Sequence, residues 1–247
     1  MDDWEIIDSG VQPAKENMRL DAEMLEKAGG FSRPVLHHYE WQKPSATYGY
    51  FADPGMLLNL DNARGLGLDL AKRPTGGGII FHLWDLAFSV LAPAHCPVFS
   101  QNTLENYAFV NNAVLASVKA FLNGNPPLSL TPDDFTEWDA SCSHFCMAKP
   151  TKYDVMWEGR KVAGAAQRKT RAGFLHQGTI ALVMPSVEYL SSVLLPGTQV
   201  LQAMQYHTCP LLGPSATEAE MREAKAQLRA LLATHLSRSS SMIKPHQ

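Results

Sequence analysis

Between Tyr153-Asp154-Val155-Met156-Trp157 and Arg160-Lys161-Val162-Ala163-Gly164-Ala165-Ala166-Gln167 stand only Glu158 and Gly159. Two β-prone runs joined by two residues, the second a glycine able to take the positive φ such a turn needs, predict an antiparallel hairpin with little freedom of register. Lys161 then lies opposite Met156, with Asp154 one diagonal step away on the same face and Ala163 and Ala165 as its neighbours along its own strand. Small residues beside a lysine leave a hollow that a ligand can fill with the ammonium at one end. Solvated lysines are common, so position alone leaves both readings open.

The remaining patterns place this hairpin in a mixed architecture. Helical spacing of Met18, Leu20, Met24 and Leu25 predicts a helix over 17–27, closed by Gly29-Gly30. Residues 35–41 and 46–51 read as strands separated by a Lys43-Pro44-Ser45 turn, and 76–82 with 85–91 as a second hairpin. Apolar residues recurring at three and four predict a helix over 104–122, stopped by Asn123-Gly124-Asn125-Pro126-Pro127. A strand is expected over 178–184. Thr217-Glu218-Ala219-Glu220 fits a capping box and opens a helix to about Leu236. Residues 237–247 have no core-forming pattern and are expected to be a disordered tail. With no repeat and no long linker, the expectation is one α+β domain over residues 1–236, mixed β-sheets flanked by helices.

Composition excludes several classes of function. Lys+Arg 21 against Asp+Glu 24 gives a formal net charge of −3, which offers nothing to hold a polyanion, so no nucleic-acid partner is expected. No apolar run approaches the ~18–20 residues that cross a bilayer, and Met1-Asp2-Asp3-Trp4-Glu5 is acidic where a secretory signal would be basic. A cytoplasmic protein with no membrane partner is expected. Four cysteines in 247 residues are too few for a disulfide scaffold.

Three constellations have chemical potential. Gly76-Gly77-Gly78 after Lys72-Arg73-Pro74-Thr75 would let backbone N–H groups approach an anion, or merely turn the chain between strands. His82 shares strand parity with Gly78 and Ile80 and is either a site residue or an ordinary hydrogen-bonded histidine. Cys142, His144 and Cys146 alternate, so an extended chain would aim them one way. A structural zinc site wants a second cysteine pair, which is absent, and no metal site is expected. Cys146 is either a buried structural thiol or a nucleophile, with Lys149, Lys152, Lys161 and His144 as candidates to stabilise its thiolate.

Taken in order, Glu16-Asn17-Met18 with Asp21, Tyr39-x-Trp41, Arg73-Pro74-Thr75-Gly76-Gly77-Gly78 with His82, Leu86 and Ser89, Gly159-Arg160-Lys161-Val162-Ala163-Gly164-Ala165-Ala166-Gln167-Arg168 and Leu175-His176-Gln177-Gly178-Thr179 resemble the lipoate-protein ligase and octanoyltransferase family. That family shares its catalytic fold with biotin-protein ligases. The resemblance implies a class II biotin/lipoate ligase-like catalytic domain and an enzyme of protein lipoylation. It implies that Arg73, Thr75, Gly76, Gly77, Gly78 and His82, with Gly164, Ala165, Gln167, His176, Gly178 and Thr179, bind substrate, and that Lys161 touches the acyl carbonyl. The implied acceptors are lipoyl domains of 2-oxoacid dehydrogenases or the glycine cleavage H protein. The group transferred is octanoate or lipoate.

Within the family, a ligase forms lipoyl-AMP from ATP, with Mg, while an octanoyltransferase takes its chain from acyl carrier protein with no cofactor. One transferase branch uses a cysteine in a C-x-x-x-P-[ST]-x-Y-[DE] stretch, which Cys146 to Asp154 matches. The favoured expectation is therefore octanoyl transfer through a Cys146 thioester. The alternatives are ATP-dependent ligation and an inactive acyl- or carrier-binding module. The family places an acidic residue after the histidine, whereas here Leu83 follows His82 and Trp84 precedes Asp85. The length is expected to leave no room for an accessory domain beside the catalytic one.

Overall fold

The computed structural model describes residues 4–124 and 126–241. In chain order its strands and α-helices are β1 (Glu5–Gln12), α1 (Ala14–Glu26), β2 (Val35–Trp41), β3 (Ser45–Tyr48), α2 (Leu60–Gly65), β4 (Asp69–Lys72), β5 (Ile80–His82), β6 (Asp85–Pro93), α3 (Thr103–Phe121), β7 (Leu128–Leu130), β8 (Val155–Trp157), β9 (Arg160–Lys169), β10 (Gly173–Ala181), α4 (Val187–Val193), α5 (Val200–His207) and α6 (Glu218–Ser241). The strands build a large mixed sheet in the order β1-β2-β6-β10-β9-β8-β7 and a small one in the order β4-β3-β5. Helices flank them, as the α+β expectation requires.

The hairpin of β8 and β9 forms where the two-residue turn predicts it, with Glu158 at φ 50 and Gly159 at φ 78. Met156 pairs with Lys161 and Trp157 with Arg160. One step further the register slips. Val155 opposes Ala163, so Val162 is an extra residue in β9, a bulge that turns every later side chain of the strand to the opposite face.

The second expected hairpin, 76–82 with 85–91, does not form. β5 pairs with β3 in the small sheet, and β6 runs between β2 and β10 in the large one. All nine residues of β6 are buried, with Phe88 and Val90 in the core cluster that packs on α3 and α6. A strand buried on both faces is central, and both its edges are already taken. The chain therefore crosses from one sheet to the other at Leu83-Trp84.

The core on one side of the large sheet brings Phe88, Val90 and Phe174 against Val110, Val114 and Val118 of α3 and Leu228 and Leu232 of α6. Asn102 caps α3 by accepting from Leu104 N, and the capping box of α6 forms, Thr217 Oγ1 and Glu220 Oε2 lying 2.8 Å apart. Lys225 and Arg229 then fasten α6 to Glu40 at the end of β2, each at 2.7 Å. The expected tail from Ser237 is corrected for residues 237–241. They continue α6, because Leu236 is fully buried and Trp4 Nε1 donates to Ser240 Oγ at 2.8 Å. Residues 242–247 lie outside the described residues. A second core cluster joins the small sheet to α4 and α5 through Ala46, Phe81, Phe145, Leu190 and Met204. Among the described residues no helix is long and apolar enough to cross a membrane.

Candidate active site

The glycine triplet follows β4, and its backbone runs directly beside the cysteine segment. Ile79 N donates to His144 O at 2.6 Å, and Cys146 N donates to Ile79 O at 2.9 Å. The contact is possible only because residue 78 lacks a side chain, since a Cβ there would stand 2.2 Å from His144 O. Gly77 has φ 86, and its carbonyl oxygen occupies a point 1.9 Å from where a Cβ on Gly49 would be. The glycines thus serve close approach. Around Gly77, within 4 Å of the position of a Cβ, lie Arg73 Nη2, Ala166 Cβ and Cys146 Sγ. Cys146 is half-buried and lines a cavity, whereas Cys142 and Cys96 are buried. Cys142–His144 form a 3₁₀ turn, so the alternation of Cys142, His144 and Cys146 aligns nothing.

Arg73 is 5% exposed. Its donors reach neutral acceptors: Thr47 O and Oγ1 at 2.9 Å, Gly76 O at 3.0 Å and Gly78 O at 2.7 Å. Its Nε has no partner, and among the described residues no carboxylate pairs with it. Burial pushes the guanidinium below its ordinary value, and its interaction with Cys146 opposes that shift. The positive group at the sulfur is thus Arg73, and none of the four expected candidates takes that place. Lys149 pairs with Glu137 at 2.9 Å, and Lys152 sits over the Tyr153 ring. His144 is exposed, and Lys161 donates to the Cys146 carbonyl.

Lys161 is buried, with Nζ 2.7 Å from Asp154 Oδ2 and 2.8 Å from Cys146 O. Asp154 also accepts from Thr151 N at 2.7 Å and Oγ1 at 3.2 Å. Burial pushes the Asp154 carboxyl up, against the pull of Lys161 and the Thr151 donors. The hollow exists, but Ala163 does not form it. Because of the bulge, Ala163 faces the α3 core, and Gly164 and Ala166 share the cavity face with Thr179 and Gln177, their partners on β10. A Cβ on Gly164 would fall 2.3 Å from Lys161 Cε and 2.6 Å from Asp154 Oδ1.

The other expected residues divide into two groups. His82 lines the cavity with both ring nitrogens engaged, to Thr47 Oγ1 at 2.8 Å and Asp85 Oδ2 at 2.7 Å, while Thr179 Oγ1 bonds the same carboxylate oxygen at 2.5 Å. Burial works to raise the Asp85 carboxyl, yet His82 and Thr179 together hold it below its ordinary value. Ala165 and Gly178 border the cavity, and Gly178 leaves room for the Phe88 ring behind it. Thr75 and Gly76 act from outside its lining: Thr75 Oγ1 donates to Gln177 Oε1 at 2.6 Å, and Gly76 O accepts from Arg73. Gln167 and His176 are on the opposite face of the sheet, against Thr103 and Tyr107 of α3. Burial holds His176 neutral, with its value lowered to about 3.

Sequence reasoning did not assign roles to Gln177, Asp21 or Met147. Gln177 Nε2 donates to Asp21 Oδ2 at 2.6 Å, and Asp21 in turn bonds His37 Nδ1 at 2.8 Å and Ser89 Oγ at 2.5 Å. A polar side chain on the buried face of α1 was the available signal for Asp21. Met147 left none, being one more apolar residue.

These side chains enclose a cavity of about 150 Å³ between the two sheets. The family model described as the lipoyl protein ligase A/B catalytic domain matches residues 13–217. Octanoyltransferase LipM of Geobacillus kaustophilus is 28% identical over 204 residues, covering 82% of this chain and 73% of that protein. Octanoyltransferase LipM of Lysinibacillus sphaericus is 30% identical over 196 residues, covering 77% and 70%. Among solved structures, the T. acidophilum protein Ta0514 with bound lipoic acid superposes with a TM-score of 0.65 at 20% identity, over 97% of this chain and 93% of that one. Lipoate-protein ligase A bound with ATP superposes with a TM-score of 0.64 at 20% identity, over 97% and 96%. At that identity the likeness is one of fold.

Proposed function

The chain belongs to the lipoyl protein ligase A/B catalytic-domain family, and we propose that within it this protein is an octanoyltransferase working through a Cys146 thioester. The carrying observation is the half-buried Cys146 thiol in the cavity beside Arg73, a buried cation with no carboxylate partner among the described residues. A buried charge without its counter-ion is costly, and a thiolate at Sγ supplies one. The resemblance to octanoyltransferases that match most of the chain supports the same reading.

In the first half-reaction Sγ attacks the carbonyl carbon of an octanoyl thioester on acyl carrier protein. The carbonyl π pair moves to oxygen, then returns as the carrier sulfur leaves as its thiolate. Lys161 spends N–H groups on Asp154 and on Cys146 O, and a third remains for the developing oxyanion. In the second, the amine of a lysine on a lipoyl domain attacks the enzyme thioester. The C–S bond breaks, the amide forms, and Cys146 returns as the thiolate while the proton lost by the amine passes to bulk water. Thioester exchange is nearly balanced, and amide formation draws the sequence forward. No ATP enters. Arg73 orients and neutralises the sulfur, and the glycine turn keeps water from one side of it.

Intact-mass analysis tests this reading. Octanoyl-carrier protein should give an octanoyl adduct that Cys146→Ala abolishes and Lys161→Ala slows. Modification of a lipoyl domain that needs ATP and survives Cys146→Ala overturns it in favour of lipoate ligation. Binding of acyl ligands without product from either donor would leave a non-catalytic module.

A further inference from the structure

Beyond the cavity that holds Cys146 lies a second, smaller one of about 30 Å³. Ile80, Met147 and Thr179 border both, and the second is closed by Phe81, Trp84, Met184 and Met204. Strand β10 gives the direction from one to the other. Gln177, Thr179 and Ala181 point to the same face at two-residue steps; Gln177 lines the first cavity, Thr179 both and Ala181 the second alone. Gln177 marks the sulfur end, because it bonds Thr75 and pairs across the strands with Ala166 beside Gly77.

From Gln177, Thr179 stands two residues or ~7 Å along the strand and Ala181 four residues or ~13 Å. An extended eight-carbon acyl chain, with bonds of ~1.5 Å, spans roughly 10 Å. A chain bonded to Sγ and running along this row therefore has its methyl end between Thr179 and Ala181, at the boundary between the two cavities. The movable part of that wall is Met147, unbranched and 7% exposed.

We propose that Met147 is the specificity-determining residue for acyl-chain length: its side chain divides the two cavities and stops the methyl end of an octanoyl group, and Trp84 seals the far side of the reserve space behind it. The proposal rests on the acyl-thioester reading given above. It also gives a role to the departure at Leu83-Trp84. Where the chain crosses between the sheets, Leu83 packs into the second core cluster and Trp84 becomes a wall of the second cavity.

A competition experiment tests it. Equal amounts of octanoyl and dodecanoyl carrier-protein thioesters are offered together, and the ratio of the two Cys146 adducts is read by intact mass. The wild-type protein should take octanoyl. Met147→Ala, which joins the cavities, should shift the ratio toward dodecanoyl by about tenfold or more, the discrimination that one or two methylenes carry in an apolar pocket. Trp84→Ala, which opens the far end, should by itself leave the ratio unchanged and add to the shift only in combination with Met147→Ala. Met147→Phe should shift an octanoyl–hexanoyl competition toward hexanoyl. If Met147→Ala proves unstable, Met147→Val carries the same expectation with a smaller shift. A ratio unchanged in Met147→Ala, or shifted by Trp84→Ala alone, while octanoyl adduct still forms, overturns the proposal. No adduct with any chain in the wild-type protein sinks the thioester reading instead.

Discussion

The Lys161 ammonium stands 2.7 Å from the Asp154 carboxylate, with the two side chains 4% and 3% exposed. A pair so buried is held by mutual neutralisation, and removing one partner leaves the other as an uncompensated charge. Asp154→Asn should therefore lower the unfolding free energy by about 3–5 kcal/mol, read from urea denaturation. It should also slow thioester formation, because the ammonium loses the contact that aims it. An Asp154→Asn protein as stable as wild type would show that the pair does not hold this corner of the site.

Gly164 is the residue that makes room for the pair. A methyl group there would stand 2.3 Å from Lys161 Cε and 2.6 Å from Asp154 Oδ1. Gly164→Ala should displace the ammonium and cut the rate of acyl transfer about 100-fold, the penalty that a misplacement near 1 Å can carry. The protein should remain folded by circular dichroism. Retention of full activity would mean that Lys161 acts from a different position.

Arg73 should govern the reactivity of the sulfur independently of any acyl substrate. Alkylation of Cys146 by iodoacetamide at neutral pH should be about 10- to 100-fold slower in Arg73→Met, the range expected for losing a hydrogen bond to a charged group worth ~1.5–3 kcal/mol. Lys149→Met should leave that rate unchanged, since Lys149 is paired with Glu137. Equal alkylation rates in the wild-type and Arg73→Met proteins would disprove the assignment.

Stability should depend on pH through two histidines outside the reaction. Burial lowers His176 to about 3 and His38, with Arg229 adding to the effect, to about 4, from an ordinary 6.5. Below 6.5 the unfolded chain takes up protons on both rings and the folded chain does not, so stability must fall as the pH falls, until the folded rings protonate in turn. The slope is about 1.4 kcal/mol per pH unit for each histidine. Replacing His176 with Phe should remove one of these two contributions, visible in urea midpoints at pH 7, 6 and 5. An unchanged slope would show that His176 is not buried as a neutral ring.

What the residues alone disclosed, and what they concealed, follows from whether an interaction is local. The β8–β9 turn, α3 and the capping box of α6 are written in neighbouring residues, and each was legible. So was the pairing of Lys161 with Met156. The bulge at Val162 was not, because nothing in a run of small and branched residues says which one is unpaired. It reversed the faces of Ala163 and Gly164. The separation of β5 from β6 was equally hidden, since it depends on β2 and β10 occupying both edges of β6. β1 was missed because it alternates poorly and lies partly exposed. Lysines near Cys146 in sequence drew attention away from Arg73, which reaches the sulfur by a path of 73 residues.

The two hydrogen bonds that tie Ile79 to His144 and Cys146 have a bearing on timing. They stitch the glycine turn to the segment that carries the sulfur, and Gly49 closes against the turn from behind. A turn so fastened is no door: swinging it outward would take Cys146 along. In the proposed reaction, donor and acceptor would thus meet a centre already assembled before either arrives, and the waiting time between the two half-reactions would be a matter of partner exchange rather than of the protein rearranging itself.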